Sequence, residues 1–284
     1  MRLTRRGRLA LTLSVAGLAL VAAGTSYAVF KTPIGPALGL PTTPPCTLTA
    51  GQVTRSWTEE EAMTATTVAA VGQRIGATDN GIAAAVARAL RGPSDRVVDA
   101  AVARDIYRGL PDRARPTAPA LAVATALLGR NGPALTCTVS SSGLESGLAA
   151  EAPGASGLTA RADAVRLDMR AVFAKQILGG FEPQGVSTGH IDGSAHYEGR
   201  AIDIFFRPIN ATNTGRGWVQ AHWAVAHAER LHVATVIFDR NVWSARRSSS
   251  GWRAYAHPGG PTENPVLLHE DHVHVDVLEG APQD

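Results

Sequence analysis

The chain has 284 residues, of which 45% are hydrophobic and 18% are charged, so it can bury one large core or two small ones. Its 27 basic and 24 acidic residues leave a formal charge of only +3, and the basic residues are scattered along the sequence. Because a nucleic-acid-binding protein carries a concentrated basic patch, we predict no nucleic-acid partner.

The N-terminus predicts export across a membrane. An arginine-rich start is followed by an uncharged apolar stretch, residues 9–30, which is long enough to cross a bilayer as a helix. Residues 1–30 are therefore a signal anchor or a signal peptide, and the length of the apolar stretch favours the uncleaved anchor. Since arginines stay on the cytoplasmic side, the rest of the chain is predicted to be extracytoplasmic, membrane-anchored or secreted.

Cys46 and Cys137 are the two cysteines of the sequence. An even number of cysteines in an exported chain predicts one disulfide, with two free thiols as the alternative. This bridge would close a loop of about ninety residues and stabilise the first domain by constraining its unfolded chain.

The first half of the chain predicts a spacer and a small all-α domain. Residues 31–55 are rich in Pro, Gly and Thr, which is typical of an extended spacer. Residues 56–137 contain the pattern of four helices, the first opening with Glu59, Glu60 and Glu61 in its first turn. Residues 138–156 are rich in Ser, Gly and Ala and are predicted to be a linker.

The second half, residues 157–284, mixes helix and strand patterns. Apolar periodicity predicts helices over 158–173 and 218–231, and β-branched runs predict strands over 201–206, 234–239 and 273–277. This order favours an α+β domain with a mainly antiparallel sheet.

One predicted strand of this domain carries an isolated acid. Asp203 interrupts the apolar run 201–206, and a buried carboxylate is costly unless it is paired or bound to a metal. Gly199, just before the strand, allows a tight turn that would fold His196 back over Asp203.

The last predicted strand alternates strictly, with valines on one face and His272, His274 and Asp276 on the other. A His-x-His pair by itself is more typical of an exposed strand face. Together, however, His196, Asp203 and His274 supply the mixed imidazole and carboxylate ligands of a catalytic zinc ion with one open position. Zn is therefore the predicted cofactor.

These residues also form two motifs that can be compared with a known family. The motifs are Ser194-x-His196-x-x-Gly199-x-Ala201-x-Asp203 and, far downstream, Asp271-His272-x-His274. The chain thereby resembles the zinc D-alanyl-D-alanine peptidases and the related hedgehog-type metallopeptidase fold, over about residues 157–278. It looks most like an exported actinobacterial subgroup of that fold.

The resemblance implies zinc-dependent hydrolysis of peptide bonds in peptidoglycan stem peptides that contain D-amino acids, by a carboxypeptidase or an endopeptidase. The family places an acid three residues before the last zinc histidine, which assigns the general base to Asp271. Glu is the commoner base in the family, so the neighbouring Glu270 stays an alternative. His272 would then stabilise the oxyanion, and Asp276 would orient an imidazole.

Two other functions remain open at the sequence level. The chain could be a non-catalytic zinc-containing protein that binds or senses the cell wall, or a structural envelope protein without zinc. Residues 65–72 also resemble the first helix of lysozyme-like modules. The next predicted helix lacks the catalytic Glu of those modules, which implies a degenerate or structural module. The predicted partners are stem peptides and, through the N-terminal helix, the membrane, while the oligomeric state stays open.

Overall fold

The structure, a computed structural model, describes residues 45–92, 97–111, 113–140 and 147–281. The predicted anchor or signal segment, residues 1–30, lies outside this part of the chain. Within the described ranges, no helix combines the length and the apolar character needed to cross a membrane. The described residues belong to one compact unit, Pro44–Asp284.

The first half of the chain contains a small antiparallel sheet. Its strands are β1 (Cys46–Ala50), β2 (Val53–Trp57) and β3 (Leu135–Cys137), in the order β2-β1-β3. β1 and most of β2 lie within residues 31–55, which we predict to be an extended spacer, and β3 lies within residues 56–137, which we predict to be all-α. Both predictions are wrong at these strands. β3 comes from a segment far along the chain, so no local pattern indicates the sheet.

The predicted disulfide links two strands of this sheet. Cys46 of β1 lies directly opposite Cys137 of β3, and the two residues are bonded through their sulfur atoms. The pairing predicted from the cysteine count is confirmed.

The helices predicted for residues 56–137 are confirmed. They are α1 (Glu59–Arg74), α2 (Asp79–Ala89), α3 (Ala100–Arg108) and α4 (Ala118–Leu127). Thr58 and Glu61 form a capping box at the start of α1, each side chain accepting a hydrogen bond from the other's backbone N–H. The capping box and the acidic first turn explain why α1 begins at Glu59.

The second half of the chain is an α+β arrangement, as predicted. The helices are α5 (Ala160–Phe173), α6 (Ala211–Ala226) and α7 (Ala228–Leu231). The strands are β4 (Leu178–Gly179), β5 (Ala201–Phe205), β6 (Val233–Phe238), β7 (Asn241–Ser244), β8 (Arg253–Ala254) and β9 (His272–Val277). They form an antiparallel sheet in the order β4-β5-β9-β6-β7-β8.

Helix α6 connects the two halves of the molecule. Its Trp218 packs edge-on against Phe238 of β6, with ring centroids 5.3 Å apart. Gly217 allows this approach, because a Cβ atom there would lie 2.1 Å from the Phe238 ring. On its other side α6 contacts α1, which is buried from Ala62 to Gly72. One hydrophobic core therefore runs from α1 through α6 to the sheet.

Candidate metal centre

Two neighbouring strands bring together the polar residues of the predicted metal site. β5 and β9 pair so that Asp203 lies directly opposite His274, and Phe205 lies opposite His272. Directly opposite residues project to the same face of a sheet. Asp203 Oδ1 and His274 Nδ1 are 3.2 Å apart, while Val275 of β9 is buried on the other face.

His196 reaches the same point from the loop before β5. Its Nε2 lies 3.1 Å from Nδ1 of His274 and 3.3 Å from Oδ1 of Asp203. Gly199 closes the turn behind it with a φ of +65°, in the left-handed region expected for the predicted turn. A Cβ atom at Gly199 would lie 2.4 Å from the carbonyl oxygen of Gly157, so the turn also requires a glycine for space.

Outer hydrogen bonds orient both imidazoles. His196 Nδ1 lies 2.7 Å from the carbonyl oxygen of Gly180, and this oxygen can only accept a hydrogen bond, so Nδ1 carries the proton. His274 Nε2 lies 3.2 Å from Oδ2 of Asp276, so Asp276 contacts the imidazole that it is predicted to orient. With these outward nitrogens protonated, His196 Nε2 and His274 Nδ1 are the nitrogens whose lone pairs a metal ion beside Asp203 would bind.

His190 adds a third imidazole to this cluster. Ligand atoms of His190, His196 and Asp203 all lie within 4.8 Å of one another, so this group can hold a metal ion. The His190 ring stacks on His196 with centroids 3.9 Å apart. The Tyr197 hydroxyl fixes the loop by bonding both the N–H and the carbonyl of His190. No sequence pattern indicates this contact, because only the fold of the loop carries His190 back to His196.

The charges of the cluster depend on one another. Burial opposes ionisation of Asp203, but hydrogen bonds with His196 and His274 outweigh it and hold the pKa of that carboxyl well below its usual range. Burial also lowers the pKa of His274, yet Asp203 and Asp276 outweigh it and raise the pKa to about 10. The His274 ring therefore keeps a proton between two carboxylates when no cation is bound, and a metal ion would replace that proton.

A second chain of contacts begins at His272. Its Nε2 points towards the centre, 3.8 Å from Oδ1 of Asp203. Its Nδ1 lies 2.7 Å from Oδ1 of Asp271, whose Oδ2 accepts a hydrogen bond from Arg207 Nε at 2.5 Å. The Arg207 guanidinium in turn lies over the Phe205 ring, 4.2 Å from its centroid. Both carboxylate oxygens of Asp271 are thus hydrogen-bonded, and Asp271 lies on the side of His272 that faces away from the metal centre.

The alternative base, Glu270, contacts a different part of the molecule. Its Oε1 accepts a hydrogen bond from Arg240 Nε at 2.5 Å, and Arg240 also pairs with the exposed Glu263. The roles predicted for Asp271, His272 and Glu270 stay predictions. Arg200 and Arg207 both line the cavity, and Arg207 is the one that contacts Asp271. Sequence reasoning missed it, because Arg207 lies in the loop beyond β5 and reaches Asp271 only across the folded sheet.

The cluster lies in the wall of an open cavity of about 720 Å³. Tyr255 and His269 line it beside the metal centre, and Ile191, Val266 and Leu267 line its mouth with exposed apolar surface. Burial, followed by the nearby His274 and His272, lowers the pKa of His269 to about 2. The cavity therefore combines a polar floor with an apolar rim, as ligand sites commonly do.

Comparison with known proteins gives one partial match. The family model described as VldE, C-terminal domain, matches residues 154–266. No curated protein and no solved structure matches the chain. The matched segment includes His196 and Asp203 and ends before β9, which carries His272 and His274. The chain is similar to this family over that segment.

Proposed function

We propose that the protein is a zinc-dependent peptidase that hydrolyses stem peptides of peptidoglycan. The observation that carries this proposal is the convergence of His196 Nε2, Asp203 Oδ1 and His274 Nδ1, which lie 3.1–3.3 Å from one another. Tetrahedral zinc with ligands about 2.0–2.1 Å away requires ligand atoms about 3.3–3.4 Å apart. The three distances are slightly shorter than that spacing, so a small outward shift of the side chains would accommodate the ion.

The chemistry of these ligands also supports zinc. Two imidazole nitrogens and one carboxylate oxygen form a mixed set that suits this cation, and three ligands leave one position open to the cavity. The overlapping group of His190, His196 and Asp203 could also hold a metal ion, but the pairing of β5 with β9 places His274 directly opposite Asp203, so we assign His196, Asp203 and His274 as the ligands. When bound, zinc would polarise a peptide carbonyl and make a nearby water more acidic.

We assign proton transfer to His272 and its orientation to Asp271. His272 presents Nε2 to the centre, while Asp271 holds Nδ1, which is the arrangement of a general base and its orienting carboxylate. His272 would take a proton from the attacking water and give it to the leaving amine. This assignment moves the role of general base from Asp271, where the sequence predicts it, to His272, because both oxygens of Asp271 are already hydrogen-bonded.

The substrate class rests on the family resemblance and on the cavity. An apolar rim formed by Ile191, Val266 and Leu267 can bind small side chains of a peptide, while Arg207 offers a positive charge at the wall. The disulfide is compatible with an extracytoplasmic location, where peptidoglycan is found.

The first test measures metal content and hydrolysis together. The purified protein is expected to hold roughly one zinc ion per chain, and His196→Ala or His274→Ala should abolish binding because each removes one of three ligands. His232→Ala, which changes a histidine away from the cavity, is the matched control and should retain zinc. Full zinc occupancy in both ligand variants would contradict the site.

Hydrolysis is then assayed on pentapeptide muropeptides, with and without a chelator. Cleavage that stops on chelation and returns with zinc supports the peptidase. Zinc-loaded protein that binds cell-wall fragments but cleaves no D-amino-acid peptide would instead support the binding or sensing protein. Protein that binds no zinc would support the third function, a structural envelope protein without zinc.

A further inference from the structure

His269 is held in an uncommon backbone conformation beside the metal centre. Its φ is +56°, a left-handed value that few non-glycine residues adopt. Its N–H donates to the carbonyl of Val266 at 3.1 Å, and its carbonyl accepts from the N–H of Asp239 at 2.7 Å. Backbone strain of this kind persists where the surroundings fix it, and it is concentrated at functional sites.

The side chain of His269 is fixed between two rings. The centroid of its imidazole lies 4.9 Å from the Tyr255 ring and 4.7 Å from the His272 ring. The same imidazole lines the cavity. The His269 ring is therefore fixed next to His272, the proposed proton carrier. The reaction proposed above assigns no role to His269.

The two nitrogens of this ring differ in their surroundings. Nδ1 is buried and has no hydrogen-bond partner in the described part of the chain, so Nε2 is the nitrogen that the cavity can reach. A buried N–H without an acceptor is rarer and more costly than a buried acceptor without a donor. The proton of the neutral ring is therefore on Nε2, and His269 presents an N–H group to the cavity.

The two neighbouring imidazoles can divide the chemistry between them. His272 has a carboxylate, Asp271, behind its Nδ1 and can carry a transferred proton, whereas Nδ1 of His269 has no carboxylate partner among the described residues. A neutral imidazole fixed in this way can donate a hydrogen bond without changing its charge.

We propose that His269 Nε2–H is a donor to the scissile carbonyl oxygen of the peptide substrate as negative charge develops on that oxygen. This inference rests on the proposed peptidase function. It gives His269 the oxyanion role that the sequence assigns to His272, and it leaves His272 free for proton transfer. The ligand class is a peptide carbonyl that becomes tetrahedral in the transition state.

The test compares His269→Leu, His269→Gln and His232→Leu in the zinc-loaded protein. His232 is the matched control, because it is also a left-handed histidine, with a φ of +54°, and lies outside the cavity. His269→Leu should keep its zinc and its KM, while kcat falls by about 10²- to 10³-fold, as for the loss of one oxyanion donor. His269→Gln, which retains an N–H donor, should recover part of kcat, and His232→Leu should keep the kcat of the unchanged protein.

Binding of a phosphinate peptide, measured by calorimetry, provides a readout that is independent of turnover. The phosphinate imitates the tetrahedral transition state, so His269→Leu should weaken its binding by about the same factor as kcat. Binding of the product peptide should not change. Equal phosphinate affinity in both proteins, or loss of zinc from His269→Leu and His269→Gln, overturns the inference.

The two proposals fail in different ways. If the wild-type protein binds the phosphinate but cleaves no peptide, the peptidase proposal is contradicted. The effect of His269→Leu on phosphinate affinity still decides whether His269 is a donor to the tetrahedral group. If the wild-type protein binds neither zinc nor the phosphinate, both proposals are contradicted.

Discussion

Asp271 and Glu270 are adjacent in sequence, but their side chains contact different parts of the molecule. Asp271 is buried between His272 and Arg207, whereas Glu270 turns towards Arg240 on the outer surface. Sequence reasoning could not separate them, because either acid can reach a metal from the start of a strand. The direction of each side chain follows from how the preceding loop enters β9.

Asp271→Asn should keep zinc and lose most of the peptidase activity. The substitution retains the shape of the side chain but removes the negative charge that stabilises a protonated His272, so kcat should fall by about 10²- to 10⁴-fold. Glu270→Gln, at the neighbouring acid, is the matched comparison and should lower kcat far less. A larger loss in Glu270→Gln, with Asp271→Asn close to the unchanged protein, would restore Glu270 as the base.

At the scale of elements, the metal centre depends on the close contact between the end of β4 and the loop that carries His196. Gly180 follows β4 with a φ of +78°, and its carbonyl oxygen accepts a hydrogen bond from Nδ1–H of His196. A Cβ atom there would lie 2.3 Å from Cε1 of His196 and 3.1 Å from Oδ2 of Asp203. The backbone of one element therefore sets the position of a ligand on another.

Gly180→Ala should weaken zinc binding by about tenfold or more, because an orienting contact of a metal ligand is displaced. Gly185→Ala is the matched control: its φ is +82°, so the backbone strain is similar, but no atom lies within 4 Å of the added Cβ. Zinc affinity is measured by competition with a chelating dye. Equal losses in Gly180→Ala and Gly185→Ala would show that strain, and not contact with His196, is responsible.

At the scale of the whole molecule, the two predicted domains share contacts that cross the predicted linker, residues 138–156. Nε2 of His222 on α6 accepts a hydrogen bond from the N–H of Ala134 at 3.0 Å. Trp252 Nε1–H donates to the carbonyl of Leu135 at 2.8 Å. The segment around β3 thus covers buried side chains of the second half. The boundaries at 56–137 and 157–284 stay a prediction.

A flexible linker at residues 138–156 would allow residues 157–284 to fold alone, but these contacts lead to the opposite expectation. Without α1 and β3, the fragment would expose the apolar face of α6 and leave the His222 acceptor without its donor. We expect residues 157–284 to aggregate or to melt without cooperativity in circular dichroism, while residues 45–284 unfold in one transition. A soluble 157–284 fragment with the melting temperature of 45–284 would support two independent domains.

Local patterns determined much of the fold and the centre of the site. The acidic first turn and apolar spacing indicate α1, and the alternation of residues 272–277 indicates β9 and its polar face. The isolated Asp203 in an apolar strand likewise indicated a partner, and His196 and His274 are the partners that the structure provides. These features follow from side chains close in sequence, since helix and strand periodicities are local properties.

Tertiary structure alone decided which residues join that centre and what surrounds them. The pairing of β1 with β3, the return of His190 to His196, and the contacts of Asp271 with Arg207 and of His269 with His272 connect segments through loops or through strand register. Sequence spacing does not specify the direction of a loop side chain, because that direction is set by the packing of the complete core and by glycine positions where backbones meet side chains.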